Sequence, residues 1–151
     1  MKNLILTSIF AIFFASLTLN SFSADCSISL EGNNMMQFSS TQLNFSSSCS
    51  DITIKFKNTS NLAKEIAGHN VVVSKDSDFD ALTNMVDPSN GMDEGFLPST
   101  PMVIGKTPFL GPNETYDLKI STSKLNSGQT YVFWCSYPGH WGIMKGNLVL
   151  N

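Results

Sequence analysis

Asp51-Ile52-Thr53-Ile54-Lys55-Phe56-Lys57 is the stretch that decides the fold. Ile52, Ile54 and Phe56 fall on one side and Thr53, Lys55 and Lys57 on the other, the period of two that a half-buried β-strand requires. Toward the N-terminus, Ser27-Ile28-Ser29-Leu30 alternates in the same way and ends in a turn at Glu31-Gly32-Asn33-Asn34. Met35-Met36-Gln37-Phe38 and Leu43-Asn44-Phe45 read as further short strands between Ser-rich turns. Toward the C-terminus, residues 58–67 form a polar connection into Gly68-His69-Asn70-Val71-Val72-Val73, whose β-branched run predicts a buried strand. Val103-Ile104, residues 106–110 and Tyr116-Asp117-Leu118-Lys119-Ile120 continue the pattern, with Gly111-Pro112-Asn113 as a turn. Tyr131-Val132-Phe133-Trp134-Cys135 is apolar on both faces and predicts a central strand; residues 145–150 supply the last one.

One segment breaks the rhythm. Phe79, Leu82, Met85 and Val86 recur at helical spacing, Ser77 is placed to cap the helix start, and Pro88 and Gly91 follow its end. About eight short strands with one short peripheral helix predict an all-β, Greek-key β-sandwich.

The chain of 151 residues suffices for one domain with a real core. Met1-Lys2-Asn3 followed by an uncharged apolar run from Leu4 to Leu19 and small residues at Ser21, Ser23 and Ala24 has the form of a secretory signal peptide. The run is short for a membrane span and no stop-transfer pattern follows. Residues 1–23 are therefore expected to be removed, by cleavage after Ser23 or after Ala24, leaving residues 24–151 as the working domain with no membrane span. Loss of Lys2 leaves eight Lys and no Arg against twelve acidic residues, which argues against nucleic-acid binding. Export implies an oxidising compartment, such as the expected periplasm, where three cysteines cannot all pair within one chain. Cys26 and Cys49 lie in polar, turn-like contexts, so their pairing, with Cys135 left free, is the economical assignment.

Cys135 opens the second decisive stretch, Cys135-Ser136-Tyr137-Pro138-Gly139-His140-Trp141-Gly142-Ile143-Met144. It holds a thiol, an imidazole and a thioether within one short loop around a Pro-Gly turn. The only other histidine is His69. Two His, one Cys and an axial Met are the donor set of a blue-copper electron-transfer site, in which one copper ion cycles between Cu(I) and Cu(II). Gly68, without a side chain, allows its carbonyl to approach from the opposite axis. Four other readings compete, one of them a non-redox zinc site, since the same donors bind zinc readily. A thiol hydrolase needs an oriented third group and gives Met144 no task. A copper oxidoreductase needs an open coordination position, which an axial Met closes. A copper storage or delivery protein usually uses thioether-rich sites.

Gly-His-Asn followed far downstream by Cys-x4-His-x3-Met resembles the azurins, secreted cupredoxins that carry electrons with one copper. The likeness extends to Ala24-Asp25-Cys26-Ser27, Met36-Gln37-Phe38 and Met144-Lys145-Gly146. It implies a carrier rather than an enzyme, with copper held by His69, Cys135, His140 and Met144, the Gly68 carbonyl as a weak fifth contact, and a Cys26–Cys49 disulfide. It further implies an apolar port around His140, formed by Leu62, Ile66, Ala67, Tyr137, Pro138, Gly139, Trp141, Gly142 and Ile143. Such a port would meet redox proteins such as cytochromes or copper and haem reductases. The chain departs from the azurin pattern at Trp141, Tyr137, Val71 and Trp134, and has Asn58 and Lys106 where azurins often carry further histidines.

Overall fold

The computed structural model describes residues 25–151, so the expected signal peptide lies outside the described residues. Eight strands are present among the described residues: β1 (Ser27–Gly32), β2 (Gln42–Phe45), β3 (Asp51–Asn58), β4 (Val72–Lys75), β5 (Val103–Lys106), β6 (Thr115–Ser121), β7 (Tyr131–Trp134) and β8 (Lys145–Leu150). They form two sheets, β1-β3-β6 and β2-β8-β7-β4-β5. β1 runs parallel to β3 and β2 parallel to β8, whereas the remaining pairs are antiparallel. The architecture is the expected all-β sandwich.

The period-two pattern of β3 does what it predicts. Ile52, Ile54 and Phe56 are fully buried and meet Leu30, Phe45, Val73, Ile120 and Phe133 between the sheets. Each such side chain contributes roughly 1.5–3 kcal/mol of burial. β7 is buried on both faces for a reason visible in its alternation. Tyr131 and Phe133 point into the sandwich, while Val132 and Trp134 join Val72, Leu82 and Leu97 on the outer face. The lid over that outer face is α2 (Phe79–Thr83), entered through a 3-10 turn at Asp76–Asp78. Phe79 meets Trp134 edge-on at 5.4 Å between ring centroids, and Lys145 Nζ stands 3.7 Å from the Phe79 centroid. Cys26 and Cys49 form a disulfide across 23 residues, worth about 3 kcal/mol in the chain-entropy account.

Four local expectations are corrected. The helix is shorter than residues 77–86: Ser77 lies inside the 3-10 turn and caps nothing, and Met85 is exposed rather than packed. Residues 35–38 are not a strand. Asn33 Oδ1 accepts hydrogen bonds from the Met35 and Gln37 N–H groups, an Asx turn that satisfies the backbone locally, and Met36 takes φ 56°. Only Phe38 keeps a bridge, to Gly32. Residues 106–110 are not a strand either: β5 ends at Lys106, and Leu110 retains a single bridge, to His69. The connection after β3 contains one helical turn, α1 (Lys64–Ala67), which closes on Gly68 through a Gly68 N–H to Lys64 carbonyl bond of 2.8 Å.

Candidate metal centre

Three donor side chains converge at one end of the sandwich. The Cys135 sulfur and one ring nitrogen from each of His69 and His140 lie within 4.8 Å of one another, and all three residues are buried. Cys135 Sγ is 3.7 Å from His140 Nδ1, and the two imidazole centroids are 5.1 Å apart. Met144 is fully buried and packs with Cys135, Phe96 and Phe109.

Each donor is held by backbone. Cys135 follows β7 directly, and its N–H donates to the Met144 carbonyl at 3.0 Å, closing the loop at its base. Within the loop the His140 N–H donates to the Tyr137 carbonyl at 2.9 Å and the Met144 N–H to the His140 carbonyl at 2.8 Å. These bonds fold residues 137–144 into consecutive tight turns, bringing His140 back beside Cys135 across Pro138-Gly139, where Gly139 takes φ 85°. His69 enters from the other side of the sequence, pinned to Leu110 by reciprocal backbone bonds of 3.2 and 2.8 Å.

Asn70 ties the two donor-bearing segments together. Its Nδ2 donates to Ser136 Oγ at 2.8 Å, its Oδ1 accepts from the Ser136 N–H at 2.8 Å, and Ser136 Oγ in turn donates to the Gly95 carbonyl at 2.6 Å. All of this is buried, so the network has no competing water.

Protonation follows from burial. His69 Nε2 lies 2.8 Å from the Asn33 carbonyl oxygen, which can only accept, so that nitrogen carries the proton. Burial lowers the pKa of His69 despite this bond, leaving a neutral ring whose other nitrogen, Nδ1, is buried without any hydrogen-bond partner. Burial and the neighbouring His69 lower His140 to about 4. Burial pushes the Cys135 thiol up to about 12, against the opposing effect of the Asn70 and Tyr137 backbone N–H groups. A buried, orphaned lone pair beside a thiol and a second neutral imidazole fits a soft-to-borderline transition metal.

The residues expected to form a port differ in their exposure. Tyr137 stacks on its ring at 4.5 Å and 28°, and donates its hydroxyl proton to the Glu65 carbonyl of α1 at 2.6 Å. Ile66, Ile143 and Leu62 are 67%, 60% and 41% exposed, and Pro138, Gly139 and Gly142 lie open as well. Ala67 is buried, contrary to its expected place in an exposed port. Trp141 is half-buried, packed on the outer cluster with Val72, Leu97 and Trp134. Lys106 forms an ion pair with Glu94 at 2.7 Å, and Asn58 is a buried structural amide donating to the Leu110 carbonyl at 2.8 Å. The Asn33 carbonyl and Gly32, both against His69, carry no chemical signal in the sequence and were not expected there.

Two imidazoles and a thiol meeting at the end of a two-sheet β-sandwich define a cupredoxin-type copper protein. The model of the copper-binding proteins of the plastocyanin/azurin family matches residues 24–151. The chain belongs to that family, and it is a blue-copper electron carrier. It is 40% identical over 131 residues to azurin from Alcaligenes faecalis, covering 83% of this chain and 98% of that one. It is 34% identical over 129 residues to azurin from Pseudomonas aeruginosa, covering 85% and 100%. Among solved structures it matches the azurin Az-iso2 of the obligate methylotroph Methylomonas sp. strain J with a TM-score of 0.78 and 30% identity, over 85% of this chain and 99% of that one.

Proposed function

We propose that the chain is exported by residues 1–23 and that residues 24–151 act in the periplasm as a one-electron shuttle between redox proteins, without catalytic turnover of its own. His69, Cys135, His140 and Met144 would hold the copper, with the Gly68 carbonyl as a weak further contact. Copper, when bound, supplies the Cu(I)/Cu(II) couple. The protein's part is to keep the donors where both oxidation states accept them, so that little rearrangement accompanies transfer. The backbone bonds across the 135–144 loop and the Asn70–Ser136 pair serve that purpose. Ile66, Ile143 and Leu62 form the partner surface beside His140, where apolar burial gives brief binding without charge pairs that slow release.

The observation that carries this reading is the unpartnered His69 Nδ1 in a fully buried residue, grouped with Cys135 and His140. Voltammetry of the copper-loaded protein tests it: a reversible one-electron wave with rapid self-exchange is expected. An irreversible wave, or tight Cu(I) retention without exchange, points to storage or delivery. Turnover of a small substrate points to an oxidoreductase.

A further inference from the structure

The Met144 side of the site is bounded by a residue outside the donor set. A Cβ placed on Gly32 would stand 2.8 Å from the Met144 methyl carbon, 3.2 Å from His69 Cδ2 and 3.3 Å from His69 Cγ. Gly32 ends β1 in ladder register with Asn58 and has no positive φ, so its backbone does not call for glycine. Space does.

The surrounding backbone is tied by hydrogen bonds. The Gly32 carbonyl accepts from both the Thr59 N–H at 2.8 Å and the Thr59 hydroxyl at 3.0 Å, and Gly32 also bridges Phe38. The His69 ring is fixed by the adjacent Asn33 carbonyl. The Met144 backbone is bonded at both its N–H and its carbonyl. The Met144 side chain, with three rotatable bonds, is the one part that can yield.

We infer that Gly32 is a positioning residue for the copper site: the empty space at its Cα sets where the Met144 thioether stands, and hence what that thioether would contribute to the reduction potential. This rests on Met144 being one of the copper ligands. An added methyl at residue 32 displaces first the Met144 methyl, its nearest and most flexible contact, and presses less closely on the His69 ring, so the thioether is expected to shift while the fold holds.

The test is a double-mutant cycle of Gly32→Ala and Met144→Ala, read by visible absorption, spin resonance and midpoint potential of the copper-loaded proteins, with thermal unfolding of the metal-free forms as control. Gly32→Ala is expected to change the ratio of the visible bands and the potential while leaving metal-free unfolding close to wild type. In the Met144→Ala background the same substitution is expected to lose most of that effect. If Gly32→Ala fails to fold, the double variant is expected to regain the fold. A Gly32→Ala spectrum identical to wild type, an undiminished shift in the double variant, or a double variant that stays unfolded overturns the inference. If Met144→Ala itself leaves spectrum and potential unchanged, it is the assignment of Met144 as a ligand that fails.

Discussion

The Asn33 carbonyl oxygen accepts a hydrogen bond from His69 Nε2 at 2.8 Å, across 36 residues of sequence. That single bond sets the tautomer of the ring and turns Nδ1 toward the other two donors. With both imidazoles neutral and the Cys135 thiol protonated at neutral pH, only the thiol has a proton to lose when metal binds. Calorimetry of Cu(II) uptake at pH 7 in buffers of different ionisation enthalpy is expected to show release of about one proton. Release of about three would mean that both rings are charged before binding.

Lowered histidine pKa values also make the metal-free fold acid-sensitive. In the unfolded chain His69 and His140 titrate near the ordinary histidine value of 6.5, whereas in the fold His140 titrates at about 4 and His69 is lowered too. Between those limits the unfolded state binds more protons, so stability rises with pH. The contribution is complete above about 6.5 and is lost as pH falls toward 4. Thermal unfolding of the metal-free protein is expected at a clearly lower temperature at pH 4.5 than at pH 7.5. Equal midpoints would contradict the burial of the neutral rings.

Asn70→Ala removes both bonds to Ser136 and leaves the buried Ser136 N–H without an acceptor. The expected loss is about 1–3 kcal/mol in denaturant unfolding of the metal-free protein. A loss confined to the metal-bound form would show that the amide acts on the site and not on the fold.

The reduction potential is expected to stay nearly flat between mildly acid and neutral pH, apart from any protonation of His140 in the reduced state. Positions where azurins often have further histidines hold Asn58, a buried amide, and Lys106, paired with Glu94. Voltammetry across that range checks this, and a large sigmoidal shift with a midpoint near an unperturbed histidine, about 6.5, would contradict it.

Much of this was legible in the sequence because side-chain alternation encodes it directly. Ile52, Ile54 and Phe56 declare the inner face of β3, and the doubly apolar Tyr131–Trp134 declares a strand covered on both sides. The donor side chains were legible because Cys, His and Met are chemically distinctive. What escaped was set by backbone and by space. Asn33 acts through its carbonyl, which every residue type has, and its side chain turns residues 33–37 into an Asx turn where apolar letters suggest a strand. Gly32 matters for what it lacks. The α1 turn depends on tertiary contact, Tyr137 donating to Glu65, which no local pattern carries.

The most direct measurement is the optical and spin-resonance spectrum of the copper-loaded wild type beside Cys135→Ser. An intense visible absorption in the wild type, abolished when the buried sulfur is replaced, is the result expected if thiolate and both imidazoles enclose one copper. A colourless wild type, or colour that survives the loss of the sulfur, would contradict it.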